Sequence, residues 1–241
     1  MKIVLIGRGR LATNLERALL EAGHDVVSIN SRTLENLPKE ADIFIIAVKD
    51  SVLIDVIRAA TQGRETQVFV HTAGSMPMNM FEGTTYHYGV FYPMQTFSKE
   101  RAVDFSEIPI FIEASDKETL KVLKQLAESI TQRVYELSSE NRQYLHLAAV
   151  FACNFTNHCY AMAAEILEEH GLPFDVMLPL IDETACKVHQ LHPLEAQTGP
   201  AVRYDENVIR HQTELLHDNP RMKDLYERLS LHIHEKAEKN D

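Results

Sequence analysis

The sequence predicts an α/β protein in two parts: an N-terminal doubly wound parallel sheet followed by an all-α C-terminal domain. From Lys2 to Leu137, short runs rich in Val, Ile and Phe alternate with segments of helical apolar spacing, the pattern of strands joined by crossover helices. From Ser138 onward the apolar spacing is helical and strand signals stop. These two observations place a domain boundary at 137/138 and define domains 1–137 and 138–241. A third is the opening turn, in which Lys2–Ile6 reads as a strand, Gly7 to Ala12 as a tight glycine turn and Leu11 to Leu20 as a helix.

That turn, Gly7-Arg8-Gly9-Arg10-Leu11-Ala12, has the spacing of a dinucleotide fingerprint. Gly7 permits a sharp turn after the strand, Gly9 permits close approach of a pyrophosphate, and Ala12 permits close helix packing. The N–H groups and positive dipole end of the helix starting near Arg10 would face the phosphates, with Arg8, Arg10 and Leu11 beside them. Ala22-Gly23 closes this helix, and Asp25–Ile29 is a second strand. It ends in Asn30-Ser31-Arg32, where an NAD site would carry an acidic residue. An arginine and hydroxyls suit a 2′-phosphate instead, so the expected cofactor is NADP.

The apolar run Asp42–Val48 reads as a strand buried on both faces, and Val48-Lys49 at its carboxyl end should lie against the cofactor. After a helix at 51–60 comes the strand Gln67–Val70. The small, polar loop His71-Thr72-Ala73-Gly74-Ser75 should face the nicotinamide. His71 there is a minor candidate for acid–base chemistry, since a histidine at a strand end more often bonds locally. The next strand breaks at Pro93, which places Tyr92 and Gln95 as candidate substrate contacts. The strand Pro109–Glu113, a helix at 116–131 with a Ser115/Glu118 capping pattern, and the strand Val134–Leu137 complete the alternation.

Beyond Ser138, helices are expected at 141–170, 175–191, 205–216 and 222–237. On the first, His146, Cys153 and Asn157 share one face, because steps of seven and eleven residues return to within about 20° at 3.6 residues per turn. Asn154 is adjacent. Such a polar stripe is either the wall of a site or a set of satisfied groups at a helix interface. Thr198-Gly199-Pro200 with Arg203 reads either as a substrate-binding loop or as a tight turn followed by Asp205 as an N-cap. His189 and His192 lack a carboxylate companion, and the three cysteines lack metal-type spacing, so neither a metal nor a disulfide is expected. A net charge of -11 over 241 residues argues against nucleic-acid and anionic-membrane partners. With no span-length apolar run and no leader pattern, the expected location is cytoplasmic.

The glycine fingerprint, the Asn30-Ser31-Arg32 strand end, the Tyr92-Pro93-Met94 turn and the helical second half resemble the superfamily of 6-phosphogluconate, 3-hydroxyacid, prephenate, ketopantoate and pyrroline-5-carboxylate oxidoreductases. More narrowly, the segments His71–Ser75, Gly89–Pro93, Tyr144–Ala149 with Asn154, and Thr198–Arg203 resemble a branch of Rossmann-like proteins of unknown function. The resemblance implies a Rossmann-type sheet, NADP binding, a homodimer built on the helical half and a small-molecule substrate between the domains. Several members of that superfamily carry a catalytic lysine, followed four residues later by asparagine, early on the first long helix. Here Arg142 and His146 stand in that region, and arginine does not release its proton.

Two functions are therefore expected. The first is an NADP-dependent oxidoreductase reducing a small, carboxylate-bearing carbonyl or imine compound, with His146 and Asn154 as catalytic residues and Tyr92, Gln95, Arg142, Asn157 and Arg203 as substrate contacts. Histidine suits the acid because its unperturbed pKa lies near neutrality. The alternative is a non-catalytic NADP-binding sensor, which the missing lysine keeps open.

Overall fold

The computed structural model of the chain describes residues 1–239. One seven-stranded sheet is formed by β1 (Lys2–Ile6), β2 (Asp25–Ile29), β3 (Ile43–Ile46), β4 (Val68–His71), β5 (His87–Pro93), β6 (Ile110–Ala114) and β7 (Val134–Glu136), in the order β2-β1-β3-β4-β5-β6-β7. Neighbouring strands are parallel except β5 and β6, which pair antiparallel, Tyr92 opposite Phe111. The alternation in the sequence predicts parallel pairing there too. The reason for the difference is the β5–β6 connection, which holds only the short 3₁₀ turn Phe105–Glu107 and no crossover helix to return the chain.

Helices α1 (Arg10–Glu21), α2 (Asp50–Thr61) and α3 (Lys117–Glu128) follow β1, β3 and β6. Alternate strand residues feed two separate cores. Ile3, Leu5 and Ile45 pack with Leu15 and Leu19 of α1 in a cluster that also holds Leu123 and Leu126 of α3, whereas Val4, Ile6 and Phe44 pack with Leu53 and Ile57 of α2. This is why the strands read as continuous apolar runs. Helix α3 is capped by Asp116, one residue later than the Ser115 pattern predicts: its carboxylate accepts the N–H groups of Glu118 and Thr119. Burial opposes ionisation of that carboxyl, but the hydroxyl and N–H of Thr119, with His87 and Ser115, hold it well below the usual carboxylate range.

Helix α4 (Ser139–Ala149), capped by the Ser138 hydroxyl, runs into a wider π turn at Val150–Phe155. By compactness the chain divides into a first unit, Met1–Phe155, and a second unit from Thr156 onward. The second unit contains α5 (Thr156–Glu169), α6 (Leu178–Lys187), the one-turn α7 (Pro193–Ala196), α8 (Glu206–Leu215) and α9 (Pro220–Glu238). The last strand ends at Glu136, and 137/138 stands as our proposed boundary between the sheet and helical domains. Among the described residues no helix is long and apolar enough to cross a membrane.

Candidate active site

Strand β1 lies between β2 and β3, so the connections leaving β1 and β3 go to opposite faces of the sheet and open a crevice at their carboxyl ends. A cavity of about 1190 Å³ occupies that position, within the first unit. Gly7 turns the chain into it at φ +142°, and a Cβ there would collide with the Ala47 carbonyl, so only glycine serves. Gly9 differs: a Cβ at that position would meet nothing within 4 Å. Packing does not demand the second glycine, and the space beside it is open to a ligand. Gly9 is also the N-cap of α1, provides no side-chain cap, and is followed by a first turn without an acidic residue. The first N–H groups of α1 are thus left for an anion.

Arg8, Arg10 and Leu11 line this end, with Ser31 and Arg32 from the β2 end and Val48 and Lys49 from the β3 end. Asn30 does not line it. Its Oδ1 accepts the Arg32 N–H at 3.0 Å, shaping the turn that presents Arg32. Lys99, which sequence reasoning passed over, lines the cavity as well as a side cavity of about 540 Å³ beside Gly7 and Arg8. Buried Asn14 pins this loop by donating to the Ser98 carbonyl at 2.8 Å, a long-range contact with no local sequence signal. Asp50 and Ser75 line the cavity and are hydrogen-bonded to each other, Ser75 Oγ donating.

Thr72, Ala73 and Gly74 bring the opposite wall against Tyr92, Gln95 and His146. The Tyr92 hydroxyl and His146 Nδ1 are 3.0 Å apart, with the two rings edge-on. Gly74 packs so closely on this pair that a Cβ would stand 2.6 Å from His146 Nδ1 and 2.8 Å from Tyr92 Cζ. Tyr92 is 8% exposed; burial pushes its phenol pKa up, and the Arg142 cation partly offsets this.

Other expected site residues are placed elsewhere. His71 is fully buried, stacked on Phe81, and absent from the cavity wall. Its Nδ1 accepts the Ala73 N–H at 3.2 Å, so the proton sits on Nε2, 3.3 Å from the Pro77 carbonyl. Burial, then the Arg142 cation, pushes its pKa down to about 4, only partly offset by the Pro77 carbonyl, Asp50 and Glu113. His71 is a buried, neutral residue behind the loop, which corrects its expected cofactor contact. Arg142 is corrected more sharply. It is fully buried: Nη1 meets Glu113 Oε2 at 2.6 Å, and Nη2 donates to the Met76 carbonyl at 2.6 Å and to Ser139 Oγ at 3.1 Å. A guanidinium so committed holds loop and helix together and is not free for a substrate carboxylate.

Asn154 is exposed on the π turn and does not line the cavity. The reason is geometric: the π turn breaks the 3.6-residue register that places His146, Cys153 and Asn157 on one face. Cys153 is half-buried. Asn157 and Arg203 belong to the second unit, where Asn157 is exposed on α5 and Arg203 lines a pocket with Leu194 and His232. Among the described residues no group of three or more His, Cys, Asp or Glu could hold a metal ion.

Strand order, glycine turn and crevice together define a Rossmann-like sheet followed by helices. Residues 108–233 match the model of the family described as Domain of unknown function (DUF2520), and the chain belongs to that family. It is 53% identical to a Bacteroides fragilis protein provisionally described as an NADP oxidoreductase, with 97% of each chain covered and a TM-score of 0.93. Two more distant structures share the fold. One is a Thermotoga maritima protein (19% identity, 99% of both chains, TM-score 0.71), and the other an imine reductase from Myxococcus stipitatus in complex with NADP+ (15% identity, 99% of this chain and 95% of that one, TM-score 0.70). No curated protein matches the chain at a significant level.

Proposed function

We propose that the protein is an NADP-dependent oxidoreductase that reduces a small carbonyl or imine compound. The carrying observation is that one cavity joins an anion cradle to a proton-bearing pair, Tyr92 and His146. The residues fit the cofactor: open space at Gly9, uncapped N–H groups of α1, and Arg8, Arg10 and Arg32 suit a pyrophosphate and a 2′-phosphate. The description of the 53% identical relative supports this reading. When bound, the cofactor supplies a hydride. The chain's part is to hold the phosphates and to deliver a proton to the oxygen or nitrogen that gains charge, with His146 as its source.

We also infer a homodimer built on the helical half. Among the described residues of the second unit only Ala201, Thr213 and Ser230 are buried, while Leu180 and Leu215 are 63% and 67% exposed. A two-fold interface is the commonest way to cover such surface.

NADPH oxidation with a panel of 2-keto acids and cyclic imines, beside NADPH binding by fluorescence, tests the activity. Turnover on any member establishes the reductase. Tight binding with silence across the panel would favour a sensor.

A further inference from the structure

We propose that the Tyr92 hydroxyl, at the carboxyl end of β5, is the group that hands the proton to the substrate, and that His146 replaces this proton through Nδ1. The inference rests on the reductase reading and specifies its proton path. Among the described residues the Tyr92 hydroxyl and His146 Nδ1 are each other's sole hydrogen-bond partners, 3.0 Å apart. Both side chains line the cavity, but they are held differently. Tyr92 sits in the β5–β6 ladder opposite Phe111, with its ring against the Phe111 ring and only 8% of the residue exposed. Its hydroxyl is hydrogen-bonded to the imidazole, and its side chain lines the cavity. His146, on α4, is half-buried and open to replenishment from solvent.

The step balances without any further reactant. A hydride forms the new C–H bond, and the π electrons of the C=O or C=N group become a lone pair on oxygen or nitrogen. That atom takes the Tyr92 proton as the phenol O–H bond breaks. The phenolate oxygen then takes the proton on His146 Nδ1, leaving a neutral imidazole that solvent reprotonates. The transient phenolate has a buried cation within electrostatic reach, Arg142, which lowers the cost of charge on the phenol. Gly74 fits the same picture, because any larger residue there would wedge against both rings. The relay needs close approach at that point, and glycine permits it.

The test uses the full-length protein with NADPH. Ring-nitrogen NMR of ¹⁵N-histidine-labelled protein reads the pair without any substrate. Tyr92→Phe should move the His146 ring resonances, and unmoved resonances would overturn the pairing. With a substrate from the panel, Tyr92→Phe and His146→Gln should each lose about 10²- to 10⁴-fold in kcat with NADPH affinity retained. The double variant should be no worse than the weaker single, because the two act as one unit. Free imidazole should restore part of the activity of His146→Ala and none of Tyr92→Phe. Gly74→Ala should lose turnover with both polar atoms still present. Near-normal turnover of Tyr92→Phe beside an impaired His146→Gln would mean that His146 donates directly. Multiplicative losses in the double variant would mean that the two act independently. A wild-type protein that binds NADPH but turns over no panel member removes the reductase reading and the relay with it, an outcome separate from an active protein that ignores Tyr92.

Discussion

The sheet of the first unit and the helices of the second satisfy their apolar residues in opposite ways. In the first, Ile43, Phe44, Ile45 and Ile46 of β3 are all at 0% exposure, buried by helices on both sides of the sheet. In the second, Leu172, Leu180 and Leu215 remain more than half exposed. The sheet completes its burial with helices α1, α2 and α3, whereas the second unit, like Leu147 and Phe151 at the end of the first, leaves apolar surface for something else to cover. Substitutions in the first should therefore cost stability directly, and substitutions in the second should act through assembly.

The sharpest test of that contrast lies in the sheet. Phe69 is fully buried and stacks on Phe44 with ring centroids 4.6 Å apart. Phe69→Ala should cost about 3–5 kcal/mol, from lost transfer energy plus an unfilled cavity. The urea unfolding midpoint measures it; a loss under about 1 kcal/mol would mean that the sheet core is not closed as described.

A second prediction uses a polar residue in the same dry interior. The folded state holds His71 at a pKa of about 4, whereas an unfolded histidine binds its proton near 6.5. Between these values the unfolded chain carries the extra proton. Stability from this group is therefore intact above about pH 6.5 and falls as pH drops towards about 4, by about 3 kcal/mol in all. Unfolding free energies at pH 7 and 4.5 should show the fall, and His71→Gln should flatten that window. An unchanged slope in the variant would place the acid sensitivity elsewhere.

The same contrast explains what was legible in the sequence. Both faces of β3 are buried, so a continuous apolar run announced it, and the glycine turn announced the cavity because backbone conformation demands Gly7. Long-range pairing carries no local signal. Nothing near Arg142 says that Glu113, 29 residues earlier, takes its guanidinium, and nothing near Tyr92 says that His146 lies within 3.0 Å. The face shared by His146, Cys153 and Asn157 was inferred from an ideal helical period, which the π turn at Val150–Phe155 interrupts. The antiparallel β5–β6 pair was missed because alternation was read through a connection without a helix.

At the cavity, Arg32 sharpens the comparison from the binding side, since it is an exposed residue of the sheet unit whose loss should not affect folding. Removing one charge-assisted contact to a 2′-phosphate costs on the order of 1.5–3 kcal/mol. Arg32→Ala should weaken NADPH binding at least about tenfold and leave NADH binding nearly unchanged. Equal weakening of both would put the guanidinium away from the 2′-phosphate.

The smallest expected effect on the isolated chain belongs to the helical unit. Leu180 lies on α6 with 63% of its surface exposed, so Leu180→Glu removes little burial within one chain and should change single-chain stability by less than about 0.5 kcal/mol. If a second copy covers that face, the same substitution places a carboxylate in an apolar interface, where an unpaired charge is expensive. Light scattering at micromolar concentration should then report a dimer for the wild-type protein and a shift towards monomer for the variant. A monomeric wild-type protein would remove the dimer and leave the exposed leucines to another partner. A variant that stays fully dimeric would keep the dimer but move its interface off the Leu180 face, to other exposed apolar residues such as Leu215 on α8.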